Sequence, residues 1–146
     1  DFAIGHCELI ASSYERLLGH ALLAYTGEPM LSALWSADFA LLSHGIEDDP
    51  LFSFANACAL SLFERSFAEI RTMPSRLSSG KVVDEDRILL LEEVNRKGFI
   101  ADYSGVRVSA SGREFWINDA VVWILADEHG NYLGQAAKIA AWRYIE

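Results

Sequence analysis

The sequence predicts an α+β fold: one antiparallel sheet of five strands, helices on one of its faces, and a flanking helix at the N-terminus. Three observations predict it. Residues 99–142 read as three long strands joined by two short turns, at Ser111-Gly112 and at residues 127–131. Residues 39–55 read as two shorter strands with a tight acidic link. Between these blocks, residues 57–98 carry apolar residues at helical spacing. Strands at both ends of a helical insert pack most simply as a single sheet, with the insert covering its inner face.

The elements follow in order. Residues 3–18 place Ile4, Cys7, Ile10, Ala11, Tyr14, Leu17 and Leu18 at three- and four-residue intervals, the stripe of an amphipathic helix. Gly19 ends it. Residues 20–28 keep some helical character through Leu22 and Leu23, then break at Thr26-Gly27-Glu28-Pro29. Pro29 suits the first turn of a second short helix through Leu34 and Trp35. Residues 39–44 and 51–55 form a hairpin across the acidic turn of Glu47, Asp48 and Asp49.

Asn56 then stands at the N-cap of a short apolar helix, residues 57–63, where its side chain can accept an orphan backbone N–H. Ser66 and Glu69 have the spacing of a capping box, with Phe67, Ile70 and Met73 on the core face and Pro74 as the stop. Residues 75–80 are a polar connector. Asp84 opens a longer helix with Ile88, Leu89, Leu91 and Val94 as its apolar positions. Asp84, Glu85 and Asp86 lie in its first turn and Arg96 and Lys97 in its last, which matches the helix dipole. Gly98 fits the position after its end. No repeat or linker interrupts the chain. The 146 residues therefore read as one domain, with residues 1–36 a helical extension and residues 37–146 the core.

Parity sorts the long strands. Residues 114–125 put Phe115, Ile117, Asp119, Val121, Trp123 and Leu125 on one face, and Glu114, Trp116, Asn118, Ala120, Val122 and Ile124 on the other. Both faces are largely apolar, so both need a cover. The N-terminal helix or a second subunit would supply the outer one. In the first long strand parity shifts near Ser104-Gly105, and a bulge at Gly105 would re-aim Asp102 or Arg107.

Composition narrows the function. A net charge of −9 with 12 basic residues argues against gripping phosphates, so direct nucleic-acid binding is not expected. No apolar run approaches the ~20 residues that cross a bilayer, and no signal-peptide pattern is visible after Asp1. Cys7 and Cys58 stand far apart without CxxC spacing, which reads as free thiols in a cytoplasmic protein. His6, His20, His44 and His129 are scattered, so no metal site is expected. There is no GxSxG, P-loop or GxGxxG.

The element order is that of a PAS domain, and the strand-to-helix entry at residues 49–64, with its Asn, resembles the PAS pattern. More specifically, the chain resembles the MEKHLA domain in its stand-alone bacterial form. The carrying segments are Ala33-Leu34-Trp35, Leu42-Ser43-His44-Gly45, Pro74 through Ser78, Gly98 through Arg107, Ser111-Gly112-Arg113, Val122-Trp123 and Gly134-Gln135-Ala136-Ala137. Asp102-Tyr103-Ser104-Gly105-Val106-Arg107 is the most specific of them. The plant members form the C-terminal part of class III homeodomain–leucine zipper transcription factors, and the resemblance implies a PAS-like sensory or regulatory module that is not the DNA reader. It carries over no catalytic residue.

Haem-binding PAS domains commonly use a His on the long helix, and residues 84–98 have none. The blue-light flavin type uses a Cys in an Asn-Cys-Arg-Phe-like motif, which Ala57-Cys58-Ala59-Leu60 lacks. Neither haem nor covalently linked flavin is expected. Candidate ligand-contacting residues are Arg76, Asp102, Tyr103, Arg107, Trp123, Gln135 and His44. Asp102 and Arg107 could equally form a buried ion pair that clamps the fold, and Trp123 could be ordinary core. Small neighbours leave room beside Gln135. Three functional readings stand in order. The first is a cytoplasmic sensory or regulatory module without catalysis that holds a small molecule or docks a partner, with the N-terminal helix and the outer sheet face as candidate homodimer surfaces. The second is a small enzyme using Asp102, Tyr103 or His44 as acid–base groups. The third is a structural dimer unit with a filled core.

Overall fold

A computed structural model describes residues 2–24, 26–79 and 84–145. Gly80, at the end of the polar connector, lies outside the described residues, as do the side chains of Asp84, Glu85, Asp86, Ile88 and Leu91. The elements are α1 (Phe2–Leu18), α2 (Met30–Trp35), β1 (Ala40–His44), β2 (Phe52–Ala55), α3 (Ala57–Phe63) and α4 (Phe67–Ile70). A 3-10 turn (Ser75–Ser79), α5 (Asp84–Lys97), β3 (Phe99–Val108), β4 (Glu114–Ala126), β5 (Tyr132–Ile139) and β6 (Ala141–Tyr144) complete the chain. Among the described residues, 20–24 and 26–28 hold bends and no helix, and Leu22 is buried.

The strands make one antiparallel sheet in the order β2-β1-β5-β4-β3. Where five strands are expected the described residues form six, because the last one breaks at Ala140 into β5 and β6. Both halves pair with β4 in a single register, Val121 opposite Lys138 and Asn118 opposite Ala141. The break falls where that register brings Ala140 to Asp119, the site of a bulge in β4.

The capping chemistry read from the sequence is in place. The Ser66 hydroxyl accepts from the Glu69 N–H while the Glu69 carboxylate accepts from the Ser66 N–H. Asn56 caps α3 by accepting from the Ala59 N–H. Its amide is fully buried and does more: Oδ1 also accepts from the Leu41 N–H, and Nδ2 donates to the carbonyls of Leu34 and Phe39. One side chain thus ties α2, β1 and α3 together.

The sheet has a core on each face. On the inner face, under α3, α4 and α5, lie Ala40, Leu42, Phe52, Phe63, Phe115, Ile117, Ala120, Val122 and Ile139. On the outer face, Leu41, Phe54, Trp123, Leu125 and Ala136 pack against Cys7, Ile10 and Tyr14 of α1 and Leu34 of α2. The chain's own N-terminal helices therefore supply the outer cover. Trp123 seats α1: its indole N–H donates to the Ile10 carbonyl at 3.2 Å, and its ring meets Tyr14 edge-on at 4.8 Å.

Two bulges decide which residues reach which face. In the β3–β4 ladder, Ile100 faces Val122 and Tyr103 faces Ala120, so β3 holds one extra residue. Tyr103 faces Ala120 and Gly105 faces Ile117, so β4 then holds one extra residue. The inserted residues are Asp102 and Asp119, with φ of 59° and 53°. Aspartate tolerates this left-handed region better than most side chains. The two insertions cancel in register, but each inverts its own strand's parity. The bulge expected at Gly105 is thus at Asp102. The single-parity assignment for β4 also fails: Phe115 and Ile117 share the inner face with Ala120, Val122 and Ile124, whereas Trp123 and Leu125 face outward.

Candidate functional site

A cavity of about 80 Å³ lies between the inner face of the sheet and the helical layer. Its floor is apolar: Leu42 from β1, Ile117, Ala120 and Val122 from β4, Ala137 and Ile139 from β5. Phe63 of α3, Ser75 and Ser78 of the 3-10 turn, and Leu90 of α5 line it from the helical side. Four larger polar side chains reach it, Tyr103 and Arg107 from β3, His44 from β1 and Gln135 from β5.

The Asp102 bulge creates the polar edge. Continued from Ile100 at a strict period of two, the inner face of β3 would carry Asp102, Ser104 and Val106. The inserted residue brings Tyr103, Gly105 and Arg107 inward instead. Gly105 leaves the space these two side chains need. A Cβ there would stand 2.8 Å from the Tyr103 hydroxyl and 3.5 Å from Arg107 Nη1. The Arg107 guanidinium stacks 5.5 Å from the centre of the Tyr103 ring.

Arg107 is a buried cation, 8% exposed. Nη1 donates to the Val106 carbonyl at 2.8 Å, and Nη2 to the Tyr103 hydroxyl at 3.4 Å. A guanidinium has five N–H donors, and the contacts among the described residues use two of them. Among the described residues the ion pairs involve Arg76, Arg96, Lys97 and His129, and none involves Arg107. Nor does any Asp or Glu line the cavity among those residues. Burying an uncompensated charge is costly, and this one borders open space.

At the other side of the cavity Gln135 is 3% exposed and borders Tyr132. Burial raises the Tyr132 pKa, and the Gln135 contact opposes that rise. His44 Nδ1 lies 3.0 Å from the Gly45 carbonyl oxygen. His44 and Gln135 also border a shallow surface depression with Pro50, Asn95 and Tyr132, so they form the wall between cavity and exterior. Gly134 permits the close packing here. Its φ is +139°, and a Cβ on it would fall 2.1 Å from the His44 carbonyl oxygen.

The structure thus brings together Tyr103, Arg107, Gln135 and His44 of the seven candidates. The other three stand elsewhere. Asp102 is exposed on its bulge, so the buried Asp102–Arg107 clamp is not formed. Arg76 points outward and pairs with Asp49 at 3.0 Å, an exposed contact between the 3-10 turn and the β1–β2 loop. Trp123 is fully buried under α1 on the opposite face. Ser75 and Ser78 were not singled out, although a signal was present. Three residues per turn put positions i and i+3 of a 3-10 helix on one side. That spacing turns Ser75 and Ser78 inward and leaves Arg76 and Leu77 exposed.

A second polar cluster sits beneath α1 on the outer face. His6 Nε2 lies 2.8 Å from Ser43 Oγ, which lies 2.7 Å from Ser53 Oγ. The ring stacks on Phe2 at 4.8 Å. Burial, aided by the nearby Arg71 charge, lowers the His6 pKa and favours the neutral imidazole. Among the described residues, no three His, Cys, Asp or Glu side chains could hold a metal ion, and no helix is long and apolar enough to cross a membrane.

This strand order, with helices over the inner face and a helix docked outside, defines a PAS-like fold. The chain belongs to the MEKHLA domain family, whose model matches residues 4–144. It is 30% identical over 143 residues to homeobox-leucine zipper protein HOX9 of Oryza sativa subsp. indica, covering 93% of this chain and 16% of that protein. Identity to homeobox-leucine zipper protein REVOLUTA of Arabidopsis thaliana is 27% over 155 residues, covering 98% of this chain and 18% of that one. The chain therefore spans less than a fifth of the length of these relatives.

Solved structures agree on the fold. The light-state dimer of the fungal blue-light photoreceptor Vivid superposes with a TM-score of 0.64 at 16% identity, over 90% of this chain and 93% of that one. A PAS domain from Colwellia psychrerythraea gives 0.63 at 15%, over 78% and 92%.

Proposed function

We propose that this domain is a ligand-responsive sensory module whose ligand occupies the inner cavity and which performs no catalysis. The observation that carries this reading is Arg107, a buried cation bordering a cavity with an apolar floor and without a carboxylate partner among the described residues. Volume supports a compact ligand. An engineered cavity of ~150 Å³ holds benzene, and this one has about 80 Å³. A tricyclic chromophore would need the helices displaced.

Signal passes through the sheet in this reading. Gln135 and Ala137 face the cavity, while Ala136 between them packs against the α1 layer. Val122 and Trp123 divide in the same way. An occupant that favours one packing of helices on the inner face shifts the population of α1 positions on the outer face. With the outer sheet already covered, the expected homodimer would form through α1, and sedimentation of the full chain tests that part.

The function is tested by native mass spectrometry of the full chain beside its denatured mass, with a metabolite thermal-shift screen. We expect an adduct or a stabilising compound that is lost in Ala137→Met, which fills the cavity. A clean mass together with no stabilising compound would overturn the reading.

A further inference from the structure

We infer that the cavity takes a compact organic carboxylate, its headgroup in the fork of Arg107 and its apolar body over the floor of β4 and β5. This rests on the reading of the cavity as a ligand site and adds the chemical class of the occupant. Charge argues first. Among the described residues Arg107 is the one uncompensated cation lining the cavity, and it calls for one negative charge. A carboxylate supplies that and matches a guanidinium bidentately. A phosphate dianion would bring a second charge into an apolar space with no second cation lining it among the described residues, and an unpaired buried charge is heavily penalised.

Geometry argues next. The fork is pre-oriented, since Nη1 is held by the Val106 carbonyl and the guanidinium is stacked on Tyr103. The Tyr103 hydroxyl lies beside Nη2 and can turn to donate to the same headgroup. Among the described residues no Asp or Glu lines the cavity, so none of these opposes an anion there, even though the chain as a whole carries −9. The floor supplies only hydrocarbon, from Ile117, Ala120, Val122, Ala137 and Ile139. That surface rewards an aliphatic body.

The test titrates the full chain with butyrate and with butyramide, its uncharged analogue, reading the backbone amide shifts of Gly105, Val106 and Arg107 by NMR. Butyrate is expected to bind at least about tenfold more tightly than butyramide. In Arg107→Met the butyrate affinity should fall to that of butyramide. Arg107→Lys, which keeps the charge and loses the fork, should fall between. The comparison of acid with amide on the unaltered protein holds whether or not the variants fold. Equal binding of acid and amide, undiminished butyrate binding in Arg107→Met, or tighter binding of inorganic phosphate would overturn the carboxylate class and leave the ligand site standing. Failure of both butyrate and butyramide to bind would overturn the site itself.

Discussion

Replacing Asn56 by Ala should be among the most damaging single changes outside the large apolar core. The amide is fully buried and makes four hydrogen bonds, all near 3 Å: from the N–H groups of Leu41 and Ala59, and to the carbonyls of Leu34 and Phe39. The Leu34 carbonyl keeps a second partner in the Ala37 N–H. Three backbone groups then lose the partner that Asn56 gave them. Leaving a buried polar group unsatisfied costs about 1–3 kcal/mol. Partial relaxation and water entry favour the lower part of that range, so the expected loss is about 4 kcal/mol. Loss of the helix cap alone would cost only ~1 kcal/mol.

Urea denaturation followed by tryptophan fluorescence measures the loss. Asn56→Asp separates the roles, because it keeps the acceptor and the cap but turns carboxylate oxygen toward two carbonyls. It should be at least as destabilising as Asn56→Ala at neutral pH, and should recover as acid protonates it. A loss below about 1.5 kcal/mol for Asn56→Ala would refute the argument, because the cap would then account for nearly all of it.

Other predictions are independent of that site. Gly134→Ala puts a Cβ into the His44 carbonyl at a φ of +139°. It should cost at least ~2 kcal/mol and lower Tm by about 6 °C or more, with amide exchange loosened along β1 and β5. A thermal melt within 2 °C of wild type, on the order of half a kcal/mol, would contradict the close approach. His6 has a depressed folded pKa, so the unfolded chain binds its proton more readily. The stability it gives is complete above the unfolded value near 6.5 and declines as pH falls through the lower folded value. Unfolding free energies from pH 7.5 to 5 should therefore fall in wild type, and fall less in His6→Leu. Parallel profiles would show that His6 does not titrate with folding. Glu64 joins the end of α3 to the β3–β4 turn through Ser111, and hydrogen bonds from Ser109 and Ser111 hold its pKa down to about 2. Its contribution is present above ~4.5 and fades as pH falls toward 2. Glu64→Gln should flatten the acid limb of the stability profile between those values, and an unchanged limb would count against it.

Much of the fold was legible because its signals are local. A side-chain cap, a capping box and a terminal glycine act within one or two turns, so Asn56, Ser66 with Glu69, and Gly98 announce helix ends wherever the helices later pack. Even there the sequence showed only part of Asn56. Its bond to Ala59 is local, whereas its bonds to Leu34, Phe39 and Leu41 reach back 15 to 22 residues. The site was less legible. Arg76 attracted notice for its charge, but 3-10 geometry turns it outward and brings its neighbours Ser75 and Ser78 to the cavity. Trp123 read as either pocket wall or core, and the helix that makes it core lies more than a hundred residues earlier.

What the sequence determined by itself is most of the elements, their order and the family they resemble. Apolar spacing and capping residues define the helices, alternation defines the strands, and the run from Asp102 to Arg107 carries the resemblance. What only the tertiary structure decided is which way the strands face. The period of a strand is two, so one inserted residue exchanges its faces. Both faces of this sheet are apolar because helices cover both, and the pattern on either side of an insertion looks the same. Asp102 and Asp119 therefore read as ordinary polar residues in the sequence. Folded against each other as compensating bulges, they turn Arg107 toward the cavity and Trp123 away from it.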